Sequence, residues 1–137
     1  MSDLPILQKT YDFVKWYVPT LNHLPRTQKY LLGDRLITNL YTFLEILVDV
    51  QYQQRKLATL NALNRQLEVI RYQTRLLYDF KVMKVHRYEH VSKLMNEIGI
   101  DLGGWIKQQR RSPPTSLDRN ETRKEIEKPT LNASKTL

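Results

Sequence analysis

The chain contains six prolines, yet it runs from Arg26 to Ser112 without one. Pro5, Pro19 and Pro25 precede that 87-residue stretch, and Pro113, Pro114 and Pro129 follow it. All four glycines, Gly33, Gly99, Gly103 and Gly104, fall inside it, and none forms an Asn-Gly or Asp-Gly pair. A segment this long with so little turn chemistry is dominated by helix, because strands need frequent turns and proline breaks helices.

The spacing of apolar residues agrees with helix throughout. Leu7, Tyr11, Val14, Val18 and Leu21 step by four and three, which predicts a first helix. Pro5 suits its first turn behind Asp3, and Pro19 is expected to kink or end it. Leu32, Leu36, Leu40, Phe43, Leu47 and Val50 trace a second helix over about Thr27–Gln53. Leu60, Leu63, Leu67, Ile70, Thr74 and Leu77 trace a third over about Gln54–Met83. Tyr88, Val91, Met95, Ile98, Leu102 and Trp105 trace a fourth that ends near Gln109. QYQQRK carries no breaker, so residues 51–56 are either a tight turn or part of one long helix. The third and fourth helices part somewhere in Lys81–Arg87. No segment supports a strand. The expected architecture is an all-α, up-down antiparallel four-helix bundle over residues 1–109.

After Gln109 the composition shifts to Ser, Thr, Pro and charge. Such a segment buries too little apolar surface to offset its chain entropy, so residues 110–137 are expected to form a disordered basic tail. With 137 residues, one domain of modest core is the natural outcome.

Charge and composition exclude several functions. Lys and Arg number 22 against 14 Asp and Glu, a formal net charge of +8. The tail holds seven of the basic and four of the acidic residues, which leaves the bundle at +5. A basic balance of this size points to anionic partners such as nucleic acid. With no cysteine there is no disulfide framework, thiolate metal site or Cys nucleophile. No apolar run exceeds three residues, which argues against a membrane span or a secretory leader and makes the cytoplasm the expected location.

Catalytic patterns fare poorly. His86-Arg87-Tyr88-Glu89-His90 reads H-x-x-E-H, the zinc pattern of inverted zincin proteases. That chemistry needs a third protein ligand and a substrate cleft on a larger fold. Glu-x-x-His, which a carboxylate di-metal bundle needs twice, is not formed by Glu45, Glu68, Glu89 or Glu97. Phosphate-cradling glycine loops and nucleophile elbows do not occur. The chain reads as a non-enzyme with no cofactor and no metal.

Surface patterns are more informative. Val69, Tyr72, Leu76 and Phe80, with Met83 nearby, lie on the third helix about half a turn from its core stripe. A helix that is apolar on two sides needs a second cover, and another subunit supplies one. Gly99 and Gly103, spaced i, i+4 with Gly104 beside them, suggest close approach of another backbone to the fourth helix. Arg71 and Arg75 are also i, i+4, off the core face, where Glu68 and Asp79 stand within pairing distance in sequence. Lys81, Lys84 and Arg87 continue the basic run into the next helix, and Lys107, Arg110 and Arg111 close it. These eight cations are the candidate partner- and nucleic-acid-binding set.

Three segments carry a family resemblance. LPRTQKYLLGDRLITNL resembles the second-helix signature of small bacterial four-helix-bundle proteins, and LNRQLEVIRYQTRLLYDFKVM looks like their third, Arg-rich helix. YEHVSKLMNEIGIDLGGWIKQQ is similar to their fourth, with Ile-Gly followed by Leu-Gly-Gly-Trp as its most specific piece. The likeness covers roughly Pro25–Gln109. This superfamily includes the accessory variability determinant (Avd) proteins of diversity-generating retroelements. It also includes bundle proteins encoded in intervening sequences of bacterial 23S ribosomal RNA genes.

The first branch implies a homopentameric barrel of bundles whose basic surface binds nucleic acid, including template-repeat and spacer RNA. It also implies binding to the element's reverse transcriptase, in support of complementary-DNA synthesis. Arg71 and Arg75 match the family's basic pair and take that partner-binding role by resemblance. The second branch implies a structural RNA- or protein-binding role. The net charge and basic tail favour the first.

Overall fold

A computed structural model describes residues 4–111, and all the regular structure in that span is helical. The four helices are α1 (Pro5–Asn22), α2 (Asp34–Val50), α3 (Leu57–Asp79) and α4 (Val85–Arg111). α2 has a helical lead-in, an α-turn at Arg26–Gln28 followed by a π-helical turn at Lys29–Gly33. Each helix packs on two neighbours: α1 on α2 and α4, and α3 on α2 and α4. Sequential helices are therefore adjacent, as in an up-down four-helix bundle.

The core stripes of α2 and α3 are where the spacing puts them. Leu36, Leu40, Phe43, Leu47 and Val50 are buried on α2, and Leu60, Leu63, Leu67, Ile70, Thr74 and Leu77 on α3. Each such aliphatic or aromatic side chain removed from water contributes about 1.5–3 kcal/mol before chain entropy is counted. Leu32 is only half-buried, because the π-helical turn holds five residues where a regular helix rotates differently. On α4, Val91, Met95, Ile98, Leu102 and Ile106 are buried, while Tyr88 and Trp105 only flank the core.

α1 departs from expectation. Its buried face is Ile6, Thr10, Phe13, Val14, Tyr17 and Leu21, and Tyr11 is 52% exposed. Two apolar stripes run along this helix, offset by one position. The one that wins brings Tyr17 inside, where its hydroxyl meets Thr74 Oγ1 of α3 at 2.8 Å. That bond crosses the bundle diagonal and satisfies both buried hydroxyls. Burial drives the Tyr17 pKa well above its ordinary value, against a smaller lowering by the Thr74 hydrogen bond. Pro19 also behaves differently from expectation, because α1 continues past it to Asn22. Pro19 and Lys15, the residue four before it, both face solvent, so water can satisfy the carbonyl that lacks its helical donor.

Both breaker-free connections are true turns. Residues 51–56 leave helix, and the Gln53 side chain spans them. It donates to Asp49 Oδ2 at 3.0 Å on α2, while Thr59 Oγ1 of α3 donates to its carbonyl oxygen at 2.8 Å. α3 therefore starts at Leu57 and stops at Asp79, shorter at both ends than the pattern suggested. Its C-terminus closes with Lys81 N–H donating to Tyr78 O at 2.9 Å and Val82 N–H to Leu77 O at 3.0 Å. That double closure needs a left-handed residue, and Lys81 supplies it with φ 64° where glycine is usual. Met83 then turns back into the core, so it does not extend the outer apolar side of α3. α4 runs two residues beyond the expected boundary at Gln109, making Arg110 and Arg111 helical. The expected tail from Ser112 onward lies outside the described residues.

Candidate nucleic-acid and partner interface

The eight candidate cations divide into three groups. Lys81, Lys84 and Arg87 are all exposed and cluster at one end of the bundle, around the α3–α4 turn. Beside them is a cleft of about 310 Å³ whose walls include Lys84, His86 and Arg87 on one side and His23, Leu24 and Pro25 on the other. His23 escaped the sequence reading, since nothing in a lone His after a helix marks it as a neighbour of residues 60 positions away. Its ring is fixed by a 2.6 Å contact between Nδ1 and Pro19 O.

Lys107, Arg110 and Arg111 sit on the last turns of α4, about 30 Å along the axis from Arg87 at 1.5 Å per residue. They form a separate patch. Arg75 is exposed one turn before the end of α3 and pairs loosely with Asp79, Nε to Oδ2 at 3.7 Å. Such an exposed i, i+4 pair holds the side chain weakly, so Arg75 remains available to a partner.

Arg71 is different: although off the core stripe, it is not an exposed side chain. It is half-buried and reaches across to α4, where Nη2 donates to Met95 O at 3.3 Å. Its Nε is buried without a hydrogen-bond partner. Gly99 makes this crossing possible: an added Cβ there would stand 2.4 Å from Arg71 Nη2. The close approach inferred from the glycine stripe is thus real at Gly99, but a guanidinium makes it rather than a backbone. Gly103 and Gly104 have open space around them, and the helix continues through both.

His86, Glu89 and His90 do not converge. His86 lines the end cleft, while His90 sits edge-on against Trp16 of α1, with ring centroids 4.9 Å apart. Among the described residues no group of three His, Asp or Glu side chains is placed to hold a metal ion. Nor is any helix of the described residues long and apolar enough to cross a membrane. The strongly displaced pKa of Tyr17 lies in the core and reflects packing.

The outer side of α3 is as apolar as its sequence suggested. Val69, Tyr72, Leu76 and Phe80 are all exposed, with Phe80 the second most open at 58%. The arrangement as a whole is a rigid bundle bearing cations at two ends and an uncovered apolar stripe on one side.

No curated protein shows significant similarity to the chain. A family model described as bAvd-like does match, over residues 4–109, which takes in all four helices up to the last turn of α4. Of the two branches the sequence resembles, the match is to the Avd branch, and the chain belongs to the bAvd-like family.

Proposed function

We propose that this chain is a non-catalytic accessory protein of a diversity-generating retroelement, acting in the cytoplasm. In this reading it binds the element's reverse transcriptase and its template-repeat and spacer RNA, and so supports complementary-DNA synthesis from the template repeat. The family match carries the reading, and the exposed cluster of Lys81, Lys84 and Arg87 supports it physically. Cations held on a rigid frame bind phosphates by releasing condensed counterions, an interaction that needs no catalytic residue. Arg75 joins this set, while Lys107, Arg110 and Arg111 form a second contact region. Arg71 contributes by joining α3 to α4.

Assembly as a homopentamer belongs to the same proposal. The exposed stripe of Val69, Tyr72, Leu76 and Phe80 supports self-association. Each added copy contributes a bundle charge of +5, so a ring presents several equivalent docking surfaces to one polymerase and one RNA.

A salt titration tests the binding. Lys84→Ala with Arg87→Ala is expected to weaken RNA binding and to reduce the slope of log affinity against log salt by about 0.7–0.9 per lost phosphate contact. A reconstituted complementary-DNA synthesis assay should lose product in parallel. Unchanged affinity, slope and synthesis in this double variant would overturn the reading.

A further inference from the structure

The α3 stripe needs a cover, and a second face on the same chain fits it. α2 is the one helix of the four with more acidic than basic residues: Asp34, Glu45 and Asp49 against Arg35. Glu45 and Asp49 are i, i+4 like charges near the C-terminal end of α2, where the helix dipole also disfavours anions. Glu45 is exposed and has no cation partner among the described residues. Tyr41 and Val48, both exposed, flank it on the same side of the helix. Glu45, which its own fold leaves without a cation, has a counterpart in Arg65, one turn before Val69 on the apolar stripe of α3.

Heights along the bundle make the match specific. Asn39 of α2 is held between two glutamines of α3: it donates to Gln73 Oε1 at 2.9 Å, and its carbonyl accepts from Gln66 Nε2 at 3.4 Å. Because α2 and α3 are antiparallel, moving along both from this anchor places Tyr41 level with Val69 and Glu45 level with Arg65. In the other direction Phe80 comes level with Tyr30, itself 58% exposed. Rotation about an axis parallel to the bundle preserves heights, so these pairs meet when two copies stand side by side.

We propose that the outer face of α2, centred on Tyr41 and Glu45, is the seat for the α3 stripe of a second copy, packed side by side with its bundle axis parallel. The two faces are different, so the contact is heterologous and each copy uses both, which lets a ring close. This deepens the assembly reading above and rests on it.

Sedimentation velocity over a concentration series tests the assignment. Tyr41→Asp is expected to raise the dissociation constant of the assembly by about tenfold or more, because it places an unpaired charge in an apolar contact. Glu45→Arg should weaken assembly by juxtaposing like charges with Arg65, and Glu45→Arg with Arg65→Glu should restore it. Helical content by circular dichroism checks that each variant folds. A monomeric wild type overturns the assembly and this proposal together. An oligomeric wild type that Tyr41→Asp and Glu45→Arg leave intact overturns only the face assignment. So does a Tyr41→Asp variant that stays assembled but no longer binds the polymerase, which would make the polymerase the occupant.

Discussion

Replacing Arg71 by alanine is expected to destabilise the bundle, although an arginine at this sequence position looks like an ordinary surface cation. Three contributions set the magnitude. The bond from Nη2 to Met95 O is long at 3.3 Å, so it sits at the low end of the range for charged donors, about 1.5 kcal/mol. The guanidinium lies against Gly99 and the side chain is half-buried, and half-burying two or three methylenes adds about 1 kcal/mol. Against these, the variant removes the buried, unpartnered Nε, a relief of about 1 kcal/mol. Met95 O is not orphaned, since a helical carbonyl also accepts from the amide four residues on. The net cost is about 1–2 kcal/mol, which for a bundle of this size lowers Tm by about 5 °C or more. Arg75→Ala, which removes only an exposed pair, should stay within about 0.5 kcal/mol of wild type. Urea denaturation followed by far-ultraviolet circular dichroism at matched protein concentration measures both. Indistinguishable midpoints for Arg71→Ala and Arg75→Ala would refute the bridging role.

The remaining expectations concern the core and the two special backbone positions. Tyr17→Phe should cost about 1–2 kcal/mol by leaving the Thr74 hydroxyl buried without its partner, and adding Thr74→Val should recover much of that loss in a double-mutant cycle. Because the Tyr17 pKa is raised on folding, its neutral form is favoured in the native state. Stability is then intact below pH 10 and falls by about 1.4 kcal/mol per pH unit above it, a component that Tyr17→Phe removes from an alkaline titration. Lys81→Gly should raise stability by about 1 kcal/mol through its left-handed backbone, and weaken RNA binding in a filter assay. Gly99→Ala should be close to neutral in wild type, where its Cβ displaces Arg71 Nη2. In the Arg71→Ala background it should stabilise by about 1 kcal/mol through helix propensity alone, as thermal melts of the two pairs will show.

Periodicity resolves a helix that is apolar on one face, and α3 is the clearest instance, with all six core positions legible. It fails where two stripes compete. On α1 the stripes through Leu7 and Ile6 are equally regular, and the choice depends on Thr74, which is 57 residues distant from Tyr17. The π-helical turn at Lys29–Gly33 has no sequence marker, so Leu32 is misplaced by its extra residue. Turns made by side chains are equally hidden, as Gln53 shows, and so is a left-handed lysine in place of glycine. In the candidate interface, exposure of Arg75 and Arg87 follows from helical spacing, whereas that of Lys81 and Lys84 comes from the turn between α3 and α4. Arg71 and Gly99 each had a readable peculiarity, a mid-helix cation and a mid-helix glycine, but their meeting across α3 and α4 is a three-dimensional fact.

The square packing of consecutive helices has a kinetic consequence. Contacts between α1 and α2, α2 and α3, and α3 and α4 all close short loops, so the chain-entropy cost of forming them in order is small. Of the four helix–helix contacts, that of α1 with α4 spans most of the sequence, and the Lys9–Asp101 ion pair at 2.9 Å and Trp16 against His90 hold it. Low contact order of this kind gives rapid folding. The same topology makes α1 the element that can detach while α2, α3 and α4 stay paired, with the Tyr17–Thr74 hydroxyl pair as its innermost latch. Amide hydrogens on α1 are therefore expected to exchange through a partial opening, and those in the middle of α3 only when the whole bundle comes apart, which native-state hydrogen exchange measures.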